Sequence, residues 1–147
     1  MAIQIRRGTI EDVEQVEELL MAAGVGNAGV QEWIDHFLIA LNNETGNMVG
    51  TVGVERYGNS CLLRSLVLTK EIATEPEGMK LIQLFLSYAE TEGVEELYLF
   101  TAVPHIFIHM GFEEIEFDEI PLSIQDSPHA IQQIGRGVPM RKRCITH

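Results

Sequence analysis

The 147-residue sequence is poor in cysteine and lacks long apolar runs. Its two cysteines, Cys61 and Cys144, are far apart and do not have the spacing of metal ligands, so we predict reduced packing residues rather than a disulfide or a metal site. No apolar run approaches the roughly 18 residues needed to cross a bilayer. The N-terminal residues 1–7 lack the apolar stretch of a signal peptide, so we expect a cytoplasmic protein without a membrane partner.

Basic residues are also scarce: 10 stand against 22 acidic residues, for a formal net charge of −12. A surface of this charge repels nucleic acid, which we therefore exclude as an expected partner. Four of the bases follow the last acid, Asp126, namely Arg136, Arg141, Lys142 and Arg143. This basic tail either guides an anionic ligand or carries compensating charge on a solvated final strand.

The remaining composition is that of a globular protein, with 46% hydrophobic and 22% charged residues. The length suits one domain over residues 1–147 with one core. After a first strand at 3–6, apolar residues recur at helical spacing over 10–23, behind a capping-box pair, Thr9 and Asp12. We predict an amphipathic helix there and a second, short helix over 30–35.

Three strand-like segments follow at 37–42, 48–57 and 61–68. The residues between them favour turns, so we predict an antiparallel meander. A long helix over 74–92 has an apolar face wide enough for burial against a sheet. The nearly continuous apolar run at 97–101 is typical of a central strand buried on both faces.

Shorter elements complete the chain, and we predict a helix at 105–110, a strand at 112–117, a connection with a short helix over 118–137 and a last strand at 138–145. This order of elements predicts an α/β (α+β) fold in which helices flank a mixed central sheet.

Several local sequences sharpen this pattern: the helix at 11–23, the meander GTVGVERYGNSCLLRSLVL at 50–68 and the motif FIHMGF at 107–112. Together they resemble the GNAT superfamily of N-acetyltransferases over nearly the whole chain. The paired signals ERYG…LLRSL and HMGF are most similar to the amino-acid acetyltransferase branch, which includes N-acetylglutamate synthase domains.

The resemblance implies that acetyl-CoA binds in a V-shaped gap where two parallel strands, here 61–68 and 97–101, splay apart. It also implies that the pantetheine arm pairs with the backbone of the first strand and that the pyrophosphate lies on amides at the start of the long helix, where a helix favours anions. No metal is implied. The positions that the resemblance assigns to the cofactor are Leu66, Val67, Leu68, Thr74, Gly78, Met79, Thr101 and Phe107.

The phosphate loop differs from the family pattern Arg/Gln-x-x-Gly-x-Gly/Ala, because only Gly78 fits it. Pro76 removes one N–H donor. Glu75 and Glu77 bring negative charges that oppose a pyrophosphate by about 1 kcal/mol per pair at roughly 4 Å in water. We therefore predict weakened cofactor binding.

Candidate proton-transfer groups are few. Phe107 stands where many members of the superfamily carry a tyrosine as general acid, which leaves that role to another residue. His109, with His105 beside it, is a catalytic candidate because imidazole titrates near neutral pH, although a histidine on a short helix is also an ordinary surface residue. Glu55 is the best candidate for the base, and the alternative is an outward-facing strand residue.

Arg64 lies inside an apolar strand, where a charge is costly unless it is paired. It either clamps a substrate carboxylate with two hydrogen bonds or forms an internal ion pair with Glu55 or another acid. Arg56 and Tyr57 are further candidates for substrate binding, and Tyr57 can alternatively close the hairpin.

Two functions remain open at this point. The first is an enzyme that transfers acetyl from acetyl-CoA to the amine of a small molecule, such as an amino acid. The second is a non-catalytic module that keeps the fold with weakened or lost coenzyme A binding and acts by ligand binding or through contacts with other proteins. A homodimer is the expected assembly on general grounds.

Overall fold

The computed structural model describes residues 2–27, 29–73, 76–91 and 93–144. Its strands are β1 Ile3–Arg7, β2 Phe37–Asn42, β3 Met48–Tyr57, β4 Ser60–Leu68, β5 Glu96–Thr101, β6 Glu113–Glu114 and β7 Val138–Arg143. They form one seven-stranded sheet in the order β1-β2-β3-β4-β5-β7-β6. All neighbouring pairs are antiparallel except β4 and β5, which are parallel. The mixed sheet predicted from the sequence is confirmed.

Seven helices surround this sheet in the described ranges: α1 Val13–Ala22, α2 Val30–Trp33, α3 Lys70–Ala73, α4 Pro76–Thr91, α5 Pro104–Ile108, α6 Leu122–Gln125 and α7 Pro128–Gln133. Short 3₁₀ turns at Ile10–Asp12, Ile34–His36 and Phe117–Glu119 extend or join them. None of the described helices is long and apolar enough to cross a membrane.

The sheet is covered on both faces, which explains why β3 is buried along most of its length. On one face, the apolar side of α4 packs on β4 and β5, for example Phe85 near Leu63 and Leu97. On the other face, α1 and α2 pack on β2, with Val16 near Phe37. A strand between two apolar layers loses its alternation of polar and apolar residues.

Several sequence predictions need correction. The strand predicted at 112–117 has only two paired residues, because Ile115 donates to Pro139 O at 3.1 Å and Pro139 has no N–H with which to continue the ladder. The connection at 118–137 holds two short helices, α6 and α7, rather than one. The additional helix α3 precedes the long helix. The predicted ends of the long helix and of the last strand, at 74–75, 92 and 145, lie outside the described residues.

The first helix begins at the predicted capping pair. The Asp12 carboxylate accepts hydrogen bonds from the Thr9 N–H at 2.8 Å and from the Thr9 hydroxyl at 3.1 Å. Arg6, on β1, donates to both of its oxygens, at 2.8 and 3.0 Å. These bonds hold the pKa of Asp12 at about 2, chiefly through Arg6. They fasten the start of α1 to the edge of the sheet.

This pair predicts a pH-dependent stability. The folded-state pKa of Asp12 is lower than its ordinary value of 3.8, so its contribution to stability is present above that value and is lost as the pH falls to about 2. We expect Asp12→Asn to lower the free energy of unfolding by about 2 kcal/mol at pH 7, with the deficit shrinking toward pH 2. Urea denaturation at a series of pH values measures it. Glu11→Gln, at an exposed neighbour, is the control, and a deficit that stays constant with pH would contradict the assignment.

Candidate functional site

The central feature of the site is the point at which β4 and β5 separate. The two strands pair in parallel only at Ser60–Glu96, Cys61–Leu97 and Leu62–Tyr98. Beyond Leu62, the described residues of β4 pair with β3 alone, while β5 continues its pairing with β7 as far as Thr101. The strands therefore open into the V-shaped gap that the resemblance implies.

A β-bulge in β4 lies where the gap opens. On β3, Thr51 and Gly53 face Val67 and Arg64, so one residue of β3 opposes two residues of β4. Ser65, the first of these two, has a φ of 57°, the only positive φ of a non-glycine residue in the described chain. A bulge bends its strand, and residues held in such conformations cluster at functional sites. Arg64 Nε donates to Ser65 Oγ at 3.0 Å, which holds the bulge from its side chain.

The backbone beyond the bulge presents polar groups to the gap. Thr69 N–H donates to Val49 O at 2.9 Å, which makes this a hydrogen-bonded antiparallel pair. Because such pairs alternate along a ladder, Val67 bonds to Thr51, whereas the N–H and C=O of Leu68 point away from β3. Leu68 can thus offer its backbone to a ligand in the gap.

The gap widens into a cleft of about 480 Å³. Its walls come from β4, β5, α5, the turn after α1 at 23–26 and the segment from α7 to Gly137. Most of the lining is apolar, as in Leu66, Ile82 and Phe107. None of the described lining residues is an Asp or Glu, although the whole chain has 22 acids, and two of them are arginines. The cleft therefore favours ligands that are apolar or anionic over cations.

Arg64 is buried in this cleft wall and forms an ion pair with Glu55. Nη1 of Arg64 donates to Oε2 of Glu55 at 3.0 Å, and both side chains are almost fully buried. Tyr57 Oη donates to the other carboxylate oxygen at 2.7 Å. Burial and the Glu55 carboxylate raise the pKa of Tyr57 well above its ordinary value, so its hydroxyl remains a donor. The interpretation of Arg64 as part of an internal ion pair is therefore confirmed, and the outward-facing interpretation of Glu55 is wrong because β3 is covered on both faces.

Two glycines make room for this ion pair. A Cβ on Gly53, opposite Arg64 on β3, would lie 2.9 Å from Arg64 Cγ and 2.7 Å from Phe37 Cε1. Gly29 has a φ of 80°, and a Cβ there would lie 3.0 Å from Arg64 Nη1. The Arg64 guanidinium also lies over the Phe37 ring, at 5.8 Å from its centroid. The packing around the guanidinium leaves no space for larger side chains at either glycine.

His129, at the start of α7, is a second polar side chain buried in the cleft wall. Only 3% of it is exposed, and its ring contacts Phe100 edge-on at 6.0 Å between centroids. Its Nδ1 has no hydrogen-bond partner among the described residues. Burial and the nearby Arg64 charge lower its pKa to about 3, so the imidazole is neutral at physiological pH. A buried polar group without a partner costs about 1–3 kcal/mol, which calls for an explanation.

The four residues of the basic tail differ in their surroundings. Three of its members are on β7 and form ion pairs: Arg141 with Glu113 at 2.8 Å, Lys142 with Glu90 at 2.8 Å and Arg143 with Glu96 at 3.8 Å. These charges compensate neighbouring acids. Arg136 instead lies on the cleft wall, is exposed, and makes no ion pair with another described residue.

The other predicted substrate and catalytic residues lie outside this cleft. Arg56 is exposed and lines a smaller pocket near Arg7 and Tyr88. Tyr57 is not among the cleft-lining residues, and it shares the Glu55 carboxylate with Arg64. His109, like His105, is exposed on or beside α5, and the cleft lining does not include it. The structure therefore does not bring His109 together with Glu55.

The predicted cofactor positions differ in their surroundings, and one of them, Thr74, is outside the described residues. The cleft lining includes Leu66, Leu68, Thr101 and Phe107. The Val67 side chain packs instead with the α1 side of the sheet. Thr101 Oγ1 accepts a hydrogen bond from Val103 N–H at 3.0 Å and thereby orders the entry to α5.

Gly78 and Met79 lie in the first turn of α4, which begins at Pro76. A Cβ on Gly78 would lie 2.6 Å from Ile72 O, so this position also needs glycine for close packing of α3 on α4. The amides of a first helical turn have no acceptor within the helix. Ile82, one turn further along α4, lines the cleft, which places the same face of the helix toward the gap.

Sequence reasoning missed His129, Gly29 and Gly53, and it gave Arg136 no specific place. His129 and Arg136 lie in the connection that carried no motif, and only the fold brings them to the same cleft as Arg64. A signal did exist for Gly53, because a glycine within a strand often marks a bulge or a close approach.

Comparison with solved structures shows that this is the fold of the GNAT acetyltransferases. A GNAT-family acetyltransferase from Staphylococcus aureus matches with a TM-score of 0.78 at 20% identity, over 98% of this chain and 100% of that one. The PaiA N-acetyltransferase from Thermoplasma acidophilum, in complex with coenzyme A, matches with a TM-score of 0.65 at 18% identity, over 97% and 99% of the two chains.

The N-acetylglutamate synthase from Neisseria gonorrhoeae, complexed with coenzyme A and N-acetyl-glutamate, has a TM-score of 0.80 at 17% identity, over 99% of this chain. The present chain spans 36% of the length of that synthase chain. A scan against protein-family models finds no match. A search of the curated proteins finds no significant match. The similarity thus rests on the fold.

The ion pair predicts a large effect of single substitutions. Glu55→Gln leaves the buried Arg64 charge without its carboxylate, so we expect the free energy of unfolding to fall by about 3–5 kcal/mol. The double change Glu55→Met with Arg64→Met should recover most of that loss, because it removes both charges. Urea denaturation measures each variant. Glu113→Gln, in the exposed pair with Arg141, is the matched control and should change stability far less. Additive losses in the double variant would contradict the pairing.

Proposed function

We propose that this protein is an N-acetyltransferase that transfers acetyl from acetyl-CoA to the amine of a small acceptor, and that the acceptor is an amino acid. The observation that carries the proposal is the opening of β4 from β5 after three residue pairs, with the Leu68 backbone turned toward the gap. Structures of the same fold are complexes with coenzyme A, which supports a ligand of that type here.

The residues around the gap fit such a ligand. The Leu68 C=O can accept a hydrogen bond from an amide-containing arm laid along β4, as a missing strand would provide, which leaves the Leu68 N–H available. When bound, acetyl-CoA supplies a thioester whose acetyl group passes to the acceptor nitrogen, with release of a thiol. The Leu68 N–H is then the donor best placed for a developing oxyanion, in preference to that of Val67, which bonds to Thr51.

The phosphate end is assigned to the first turn of α4. Amides at a helix N-terminus favour an anion, and Gly78 lets the backbone approach closely. Pro76 contributes no N–H. The Glu77 carboxylate, in the same first turn, interacts with the helix dipole that a phosphate would also use. We therefore propose a site that binds coenzyme A more weakly than its backbone geometry alone allows.

The opposite end of the cleft is assigned to the acceptor. It is enclosed by the turn at 23–26 and by α7, which pack closely where Gly26 meets Gln132. Arg136 stands on this wall and can bind the carboxylate of an amino acid. Because Arg64 is paired with Glu55, we propose that it contributes to the positive electrostatic potential of the cleft and does not bind the substrate carboxylate directly. N-acetyl-glutamate, in the complex of the Neisseria synthase, is an acylated amino acid, which supports this class of acceptor.

Calorimetric titration with coenzyme A and acetyl-CoA tests the cofactor assignment. We expect saturable binding, and we expect Glu77→Gln to tighten it a few-fold at low salt and less at high salt, because the change removes a screened repulsion. Glu18→Gln, an exposed acid on α1 on the opposite side of the sheet, is the control. Absence of heat and of a thermal shift at millimolar cofactor would defeat the enzyme and favour a non-catalytic module.

Acceptor charge is tested by comparing an amino acid with its carboxamide in an assay for released thiol. We expect Arg136→Gln to raise KM for the amino acid by about 10–100-fold, the size of a lost charged hydrogen bond, and to leave KM for the carboxamide nearly unchanged. Arg143→Gln on β7 is the matched control. Equal effects on both acceptors would remove Arg136 from carboxylate binding.

A further inference from the structure

We propose that His129 accepts a hydrogen bond from the unprotonated amine of the acceptor, so that the cleft selects the nucleophilic form of its substrate. The inference rests on the proposed acetyl transfer and assigns the acceptor side of it to a residue outside the superfamily resemblance. His129 lies on α7, in the segment whose sequence carried no motif.

The first argument is the unused bonding capacity of His129. His129 is only 3% exposed, yet its buried Nδ1 has no hydrogen-bond partner in the described part of the chain. Ser127, two residues earlier, is by contrast fully engaged: it donates to Ile124 O at 2.6 Å and caps α7 by accepting from Ala130 N–H at 3.2 Å. Buried polar groups normally find partners. A ligand in the cleft can supply the one that is missing for His129.

The second argument is location. His129 lines the same cleft as Leu66 and Leu68 of β4, where the thioester is proposed to lie, and as Arg136, where the acceptor carboxylate is proposed to lie. It stands on the acceptor wall, on α7, and Arg136 follows the end of that helix. An amine between these two places can donate an N–H to the imidazole while its lone pair stays free for attack.

The third argument is charge. The titratable or charged groups among the described lining residues are Arg64 from β4, Arg136 after α7 and His129 itself, while the turn at 23–26, α4, β5 and α5 contribute none. Glu55 is behind Arg64 and neutralises it in part. Because the pKa of His129 is about 3, its ring is neutral and keeps a lone pair across the physiological range. Beside a guanidinium, an ammonium ion is disfavoured and a neutral amine is not.

Two variants test the role. His129→Leu should lower kcat/KM at least tenfold without lowering the melting temperature, because it replaces an unpaired polar group in an apolar wall. His129→Gln, which restores an acceptor of similar reach, should recover part of the activity. Coenzyme A affinity, measured by calorimetry, should be the same in both as in the wild type. His36→Gln, at a half-exposed histidine outside the cleft, is the control.

The pH profile separates amine selection from base catalysis. For two acceptors whose amines have different pKa values, the rise of wild-type kcat/KM with pH should follow the acceptor. In addition, the ¹⁵N shifts of the His129 ring should report a neutral imidazole at pH 5 that is perturbed by acceptor in the presence of coenzyme A.

Several results would overturn the inference while leaving the proposed function intact. They are unchanged turnover in His129→Leu, equal losses of activity and melting temperature that His129→Gln does not rescue, or one inflection shared by both acceptors that disappears in His129→Gln. Failure of the wild type to bind coenzyme A is a different result, since it would remove the proposed function and this inference with it.

Discussion

Strands β4 and β5 share three residue pairs before their backbones part, and the cleft depends on this short pairing. A parallel pair that stayed in register to Leu68 would use the backbone groups that the gap now exposes. The bulge at Ser65 prevents this, because an extra residue bends β4 while its far end remains bonded to β3. One local irregularity thus converts a continuous sheet into a sheet with a cleft at its centre.

The same irregularity explains the buried charge next to it. Arg64 precedes the bulge, donates to the Ser65 hydroxyl and pairs with Glu55 on the neighbouring strand. A buried ion pair is a poor source of net stability, since desolvation offsets most of the attraction. The ion pair instead fixes the position of the Arg64 side chain. Glu55 Oε2, Ser65 Oγ, the two glycines and the Phe37 ring leave the guanidinium one location. The guanidinium in turn holds the side chain of Ser65, the residue with the positive φ.

Much of the fold could be predicted from the sequence because local rules govern it. The strand bounds at 37–42 and 48–57 agree with the structure, since turn residues and apolar runs mark them clearly. The two-residue strand β6 could not be predicted, because its length depends on Pro139, which lies 25 residues beyond Glu114 in the chain. The pattern of apolar residues within one segment does not show whether the strand that pairs with it contains a proline, which lacks an N–H.

The candidate site was less predictable for the same reason. Arg64 was visible as a charge within an apolar strand, and the structure shows the ion pair with Glu55 that was one of its two interpretations. His129 and Arg136 had no such contrast with their neighbours. They join the candidate site only because the fold brings the segment from α7 to Gly137 to the same cleft as β4, an arrangement that no sequence window contains.

The charge balance of the cleft bears most directly on the chemistry. A general base in the form of a carboxylate needs access to the nucleophile, and the nearest described carboxylate, that of Glu55, has one oxygen bonded to Arg64 and the other to Tyr57. Those two donors already occupy a lone pair on each of its oxygens. In the proposed reaction, an acceptor amine would meet a neutral imidazole and a positive electrostatic potential, which favour the unprotonated amine over its ammonium form. Under that proposal the amine loses its extra proton in solvent, and the cleft selects the neutral amine and orients its lone pair.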